Sequence, residues 1–100
     1  MTKNTMRPVH PGEVLREDFL RALGITPNAL AQALRVPATR VHEIVKERRA
    51  ITADTAVRLA RYFSTSAELW MSLQTTYDLR LAEESVGAKI LQEVQPLNPA

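Results

Sequence analysis

Arg40 and Glu43 stand three positions apart, with Ala38 and Thr39 just before them, in the segment TPNALAQALRVPATRVHEIVKERR from Thr26 to Arg49. On one exposed helix face these four side chains can read the edges of nucleic-acid bases. An arginine gives guanine two parallel hydrogen bonds, a glutamate accepts from cytosine N4, and the methyl groups of threonine and alanine pack on that of thymine. Asn28, Lys46, Arg48 and Arg49 flank them, and side chains placed there suit phosphate oxygens, which set register without reading sequence. A plainer chemistry is also open: Arg40 and Glu43, at i and i+3, could pair with each other, an interaction worth about 0.2 to 0.5 kcal/mol.

A reading face works only if the opposite face is locked. Val41, Ile44 and Val45 recur at helical spacing and form the inner side of that helix, which Pro37 opens. Before it, Thr26 is an N-cap and Pro27 a first-turn proline, so a helix runs from about Pro27 to Leu34. Leu30, Leu34 and Val36 supply its apolar contacts, and Ala31 is small where the two helices approach. Two short helices about a tight turn make a helix-turn-helix, whose second helix has the size of a DNA major groove.

Three more helices are expected around this pair. The first opens at Pro11, after His10, carries Leu15, Phe19, Ala22 and Leu23 inward and stops at Gly24. The fourth is capped by Thr52, has Asp54 in its first turn, and turns Ala56, Leu59, Ala60 and Phe63 inward. The fifth is capped by Ser66, has Glu68 in its first turn, and carries Leu69, Trp70, Leu73, Tyr77 and Leu81 on an apolar face that continues to about Glu84. Val86, Ile90, Leu91 and Val94 predict a short sixth helix, and the prolines at 96 and 99 a frayed end. Strand-type alternation is absent, so the fold class is all-α: a five-helix bundle with a helix-turn-helix and a short sixth helix. The domain reading is an arm over residues 1–10, the helical domain over 11–84 and an extension over 85–100.

The chain has 100 residues, 45% of them hydrophobic, enough for one small core. No run reaches the roughly 18 to 20 apolar residues of a membrane span, so no membrane partner is expected. The opening MTKNTMRP lacks the apolar stretch of a secretory leader and there are no cysteines, which together predict a cytoplasmic protein. The net charge is only +2, but from Arg35 to Arg61 seven bases face three acids, and from Tyr62 onward two bases face five acids. The basic middle suits phosphates, and the same distribution would arise from a set of solvated helix faces.

Enzymatic motifs are missing. There is no GxSxG elbow, no phosphate-cradling glycine loop and no cysteine nucleophile. His42 and Glu43 are adjacent, and neighbours on a helix point about 100° apart, so they do not converge on one substrate atom. His10 and His42 are the only histidines and lack paired-ligand spacing, so neither a metal nor another cofactor is expected. The fifth helix carries more apolar surface than the other helices can cover. Its surplus predicts a symmetric homodimer with Trp70, Leu73, Tyr77 and Leu81 at the interface.

Three blocks, HPGEVLREDFL at His10 to Leu20, ITADTAVRLARYF at Ile51 to Phe63 and SAELWMSLQTTYDL at Ser66 to Leu79, accompany the helix-turn-helix. With them the chain resembles the HigA-type antitoxins, members of the helix-turn-helix superfamily that includes the lambda repressor. The resemblance implies a lambda-repressor-like fold and a dimer that binds an inverted repeat in operator DNA and represses its own operon. It also implies a partner, a HigB-type toxin of RelE-like fold that cleaves mRNA. The chain departs from the pattern at Pro27, where glutamine is usual, and at Arg35 and Glu47, where glycines are usual. Arg35 therefore predicts either a strained φ or a turn of different shape.

Three readings follow: an antitoxin and autorepressor, a stand-alone repressor without a toxin, and a protein-binding module whose helix-turn-helix no longer touches DNA. For the first, residues 1–10 and the first helix, with Arg16 and Glu17 exposed, are expected to carry part of the toxin contact.

Overall fold

The computed structural model describes residues 7–98. Five helices follow one another: α1, assembled from Pro11–Val14, Leu15–Leu20 and Arg21–Leu23; α2, Pro27–Leu34; α3, Ala38–Val45; α4, Ala53–Phe63; and α5, Ala67–Glu93. Among the described residues there is no strand, and no helix is long and apolar enough to cross a membrane. Of the expected N-terminal arm, residues 1–6 lie outside the described residues, as does the proline at 99.

Helix α1 corrects the sequence reading in its register. Its middle, Leu15–Leu20, is π-helical, with a wider turn that closes on residue i+5 rather than i+4. Leu15 and Leu20 are therefore both buried, while Ala22 is exposed and Leu23 is 59% exposed. The expected inward placement of those last two assumed an α-helical period throughout. At the start of α1 the cap is a histidine: His10 Nδ1 accepts the Gly12 N–H at 2.8 Å. The imidazole is buried and meets Tyr77 of α5 edge-on at 4.8 Å. Burial pushes its pKa below the ordinary histidine value.

Thr26 and Ser66 cap α2 and α5 as the sequence indicates, their hydroxyls accepting from Ala29 N–H and Leu69 N–H. Thr52 occupies the N-cap of α4 without a side-chain cap bond, and Pro37 is the N-cap of α3 rather than its first residue. The core collects Leu15 and Leu20 from α1, Leu30, Ala31 and Leu34 from α2, Val41, Ile44 and Val45 from α3, then Ile51, Ala56, Leu59 and Trp70. One buried polar group ties the loop before α4 to α5: Gln74 Oε1 accepts the Ile51 N–H at 2.7 Å and Gln74 Nε2 donates to Asp78.

No separate sixth helix forms. Val86, Ile90 and Leu91 continue α5, which is unbroken from Ala67 to Glu93, and Val94 is its C-cap. Gly87 alone does not interrupt a helix whose hydrogen bonds run on through both flanks. The molecule measures 55 × 26 × 23 Å. Its long axis reflects the outer half of α5, where Leu79, Leu81, Val86, Ile90 and Leu91 are exposed.

Candidate nucleic-acid interface

The turn between α2 and α3 is built on Arg35, which adopts φ 61° and ψ 44°, the left-handed conformation that glycine takes without strain. The glycine-type turn is thus retained with an arginine in it. Val36 N–H closes it on the Ala31 carbonyl at 3.1 Å, and the Arg58 guanidinium donates to the Leu34 carbonyl at 2.8 Å. A second link joins the two helices, since His42 Nε2 and Asn28 Oδ1 are hydrogen bonded at 2.8 Å. Asn28 therefore buttresses α3 from the first turn of α2 while remaining exposed.

Helix α3 is two-faced. Val41, Ile44 and Val45 are buried, Ala38 and Thr39 are exposed, and Arg40 and Glu43 are partly exposed on the outer side. Arg40 and Glu43 do not pair with each other. Arg40 Nη1 donates to Asp54 Oδ2 at 2.9 Å, and Glu43 accepts from Arg49 Nε at 3.0 Å. Arg58 shares the same Asp54 oxygen at 2.9 Å. The two guanidiniums, Arg58 first and Arg40 second, hold the Asp54 carboxyl below the usual carboxylate range.

The basic end of α3 is shaped by a residue far away in sequence. Lys46 caps the helix, Glu47 turns at φ 63°, and Arg48 N–H returns to the Glu43 carbonyl at 2.8 Å. Arg16 of α1 donates to the Val45 carbonyl and, at 3.2 Å, to Glu47, while its Nε pairs with Glu17 at 2.9 Å. The bonds to the two carboxylates, led by the one to Glu17, raise the Arg16 pKa above its ordinary value. Lys46, Arg48 and Arg49 remain exposed, and Arg40 and Arg49 line a shallow cavity of about 250 Å³ beside Ala50, Thr52 and Thr55. Among the described residues no group of histidines and carboxylates is placed to hold a metal ion.

The helix-turn-helix family pattern matches residues 15–70. The chain superimposes on the Pseudomonas aeruginosa antitoxin HigA solved with the higBA promoter at a TM-score of 0.89 and 53% identity, covering 91% of this chain and 99% of that one. It is 37% identical to antitoxin HigA-1 of Vibrio cholerae over 79 residues, 79% of this chain and 74% of that protein. It is 54% identical over 82 residues to virulence-associated protein I of Dichelobacter nodosus, 82% of this chain and 76% of that one. The chain belongs to the HigA family of helix-turn-helix antitoxins.

Within this HigA-family fold two sequence expectations change. Trp70, assigned to a dimer interface, is fully buried in its own protomer, packed on Phe19 at 5.1 Å with its Nε1–H donated to Thr65. An indole so enclosed has no surface to offer a second copy. Leu73 and Tyr77 are half-buried, Leu73 packed against the same core, and Leu81 is 42% exposed. Arg16 and Glu17, expected to be exposed for a toxin, are only partly exposed: they pair with each other, Arg16 also bonds Glu47 at the end of α3, and Glu17 also pairs with Arg21. Sequence reasoning passed over Asp54 and Arg58 as site residues: their i, i+4 spacing lets them pair with each other, but their other partners, Arg40 and the Leu34 carbonyl, are 14 and 24 positions away and no spacing rule points to those.

Proposed function

We propose that this HigA-family chain binds operator DNA with α3 and represses its own operon, and that it neutralises a HigB-type ribonuclease toxin. The observation that carries the DNA reading is the two-faced α3: buried Val41, Ile44 and Val45 lock the helix while Ala38, Thr39, Arg40 and Glu43 lie outward. Asn28, Lys46, Arg48 and Arg49 surround that face and supply the phosphate contacts. The relative of known structure that was solved with promoter DNA shares 53% of its residues with this chain. A protein with this role is a binding protein rather than an enzyme, and works in the cytoplasm, where the operator is.

We further propose a homodimer, because operator DNA of inverted-repeat form is matched by two-fold protein symmetry, with half-sites one or more helical turns of about 34 Å apart. The surface available for it is the outer half of α5. There Leu79, Ala82, Gly87, Ala88, Ile90 and Leu91 border an apolar hollow of about 630 Å³.

The test is fluorescence anisotropy with the duplex upstream of the gene and with a scrambled duplex, each at low and moderate salt. A sequence-specific binder prefers its own duplex and loses affinity steeply as salt rises. Equal affinity for the two duplexes would remove the operator reading. Co-expression with the adjacent gene tests the toxin: if that gene product arrests growth and this chain fails to relieve the arrest, the antitoxin role is wrong.

A further inference from the structure

Three bonds run in series from the end of α2 to the reading face. The Leu34 carbonyl accepts from Arg58 Nη1 at 2.8 Å, Arg58 Nε donates to Asp54 Oδ2 at 2.9 Å, and the same oxygen accepts from Arg40 Nη1 at 2.9 Å. Asp54 is in the first turn of α4, outside the helix-turn-helix proper. Only one nitrogen of Arg40 is used, and among the described residues its remaining guanidinium N–H groups carry no other hydrogen bond. A guanidinium has five donors in a rigid planar fork, so a bond through one nitrogen restrains where the group sits and leaves other donors able to face a base edge.

We propose that Asp54 is a positioning residue for specificity: it orients Arg40 toward guanine while the pair stays intact. This rests on the reading that α3 binds operator DNA. Reaching a guanine edge is then compatible with the Asp54 bond, whereas swinging aside to a phosphate breaks it. The pair acts differentially, favouring the specific complex through preorganisation and taxing the non-specific one. Arg58 makes the arrangement durable. Anchored on Leu34, it keeps a positive charge on the Asp54 carboxylate, which therefore does not stand as a bare anion beside the DNA backbone.

The experiment is a single-base substitution scan across one operator half-site, read by anisotropy with the full-length protein, its Arg40→Ala variant and its Asp54→Asn variant. The wild type is expected to lose about tenfold in affinity when the guanine read by Arg40 is replaced, and Arg40→Ala to abolish discrimination at that position alone. Asp54→Asn should cut the discrimination there to about threefold or less, leave the other positions unchanged, and steepen the salt dependence on scrambled DNA by about one phosphate contact. A purely structural role would move every position together. That outcome, or an unchanged profile in Asp54→Asn, overturns the positioning role while α3 remains the reader. If Arg40→Ala changes no single position, the α3 reading itself fails and the Asp54 proposal with it. Asp54→Ser, which keeps a small polar group in the first turn, carries the same expectations should Asp54→Asn not fold.

Discussion

Gly12 lies so close beneath the end of α3 that a Cβ built on it would stand 1.8 Å from the Ile44 carbonyl oxygen and 3.0 Å from His10 Nδ1. Backbone thus meets backbone where α1 supports α3, and Arg16, one turn further on, donates to the next carbonyl, that of Val45. Neither atom near Gly12 belongs to a flexible chain end, so Gly12→Ala has to push the two helices apart. We expect a loss of about 3 kcal/mol in urea unfolding, with weaker operator binding at temperatures where the variant is still folded. A variant as stable as the wild type would show that α1 and α3 are not held at this distance.

Acid should loosen the same corner. His10 Nδ1 can accept the Gly12 N–H only while unprotonated, and burial lowers the imidazole pKa, with Glu47 and Asp78 opposing the shift and Arg16 reinforcing it. The unfolded chain, with an ordinary histidine pKa of about 6.5, then binds the proton more readily than the folded one. The contribution to stability is complete above about pH 6.5 and is lost as the pH falls from there through the lower folded-state value. Thermal melts between pH 8 and pH 5 should show a fall in Tm at the acid end. His10→Asn, which keeps an acceptor at the cap but does not titrate, should flatten the curve. An equally steep fall in that variant would assign the acid sensitivity to carboxylates instead.

The left-handed turn residues give a prediction of opposite sign. Arg35 is exposed and holds φ 61° without a glycine's freedom, a conformation that disfavours non-glycine residues by roughly 1 kcal/mol. Arg35→Gly relieves this, less the added entropy of the unfolded chain, and should raise stability by about 0.5 kcal/mol. Glu47→Gly relieves the same kind of strain at φ 63° but removes the Arg16 partner, so its gain should be smaller. Paired urea titrations would show the order, and a reversal of it would mean that the Arg16 bond adds nothing.

What sequence reasoning recovers is whatever has a local period or a local partner. The inner side of α3, the Thr26 and Ser66 caps and the five-helix order all follow from side chains within four or five positions of one another. The errors share one cause. A π-turn in α1 shifts the register without a mark in composition, and the arginines at 16, 40 and 58 take partners 29, 14 and 24 residues away. Trp70 reads as surplus on an amphipathic face until Phe19 closes over it. The candidate site was thus legible as an array of residue types, while the bonds that orient it come from tertiary contacts.

The outer half of α5 offers the sharpest test of assembly. From Leu79 to Leu91 it exposes Leu79 by 56%, Ile90 by 49% and Leu91 by 82%, a concentration of apolar surface on a protruding helix that a monomer would leave in water. If two copies pair there, a carboxylate in the middle of the patch must be desolvated in the dimer but not in the monomer. Ile90→Asp is therefore expected to yield a folded monomer with a Tm near the wild-type value at low protein concentration, and sedimentation equilibrium would show the halved mass. Its operator affinity should drop by well over tenfold, because each half-site is then bound separately. Leu23→Asp, a substitution at an equally exposed leucine on α1, should leave both mass and operator affinity unchanged. A wild-type chain that sediments as a monomer, or an Ile90→Asp variant that still dimerises, would move the interface away from this half of α5.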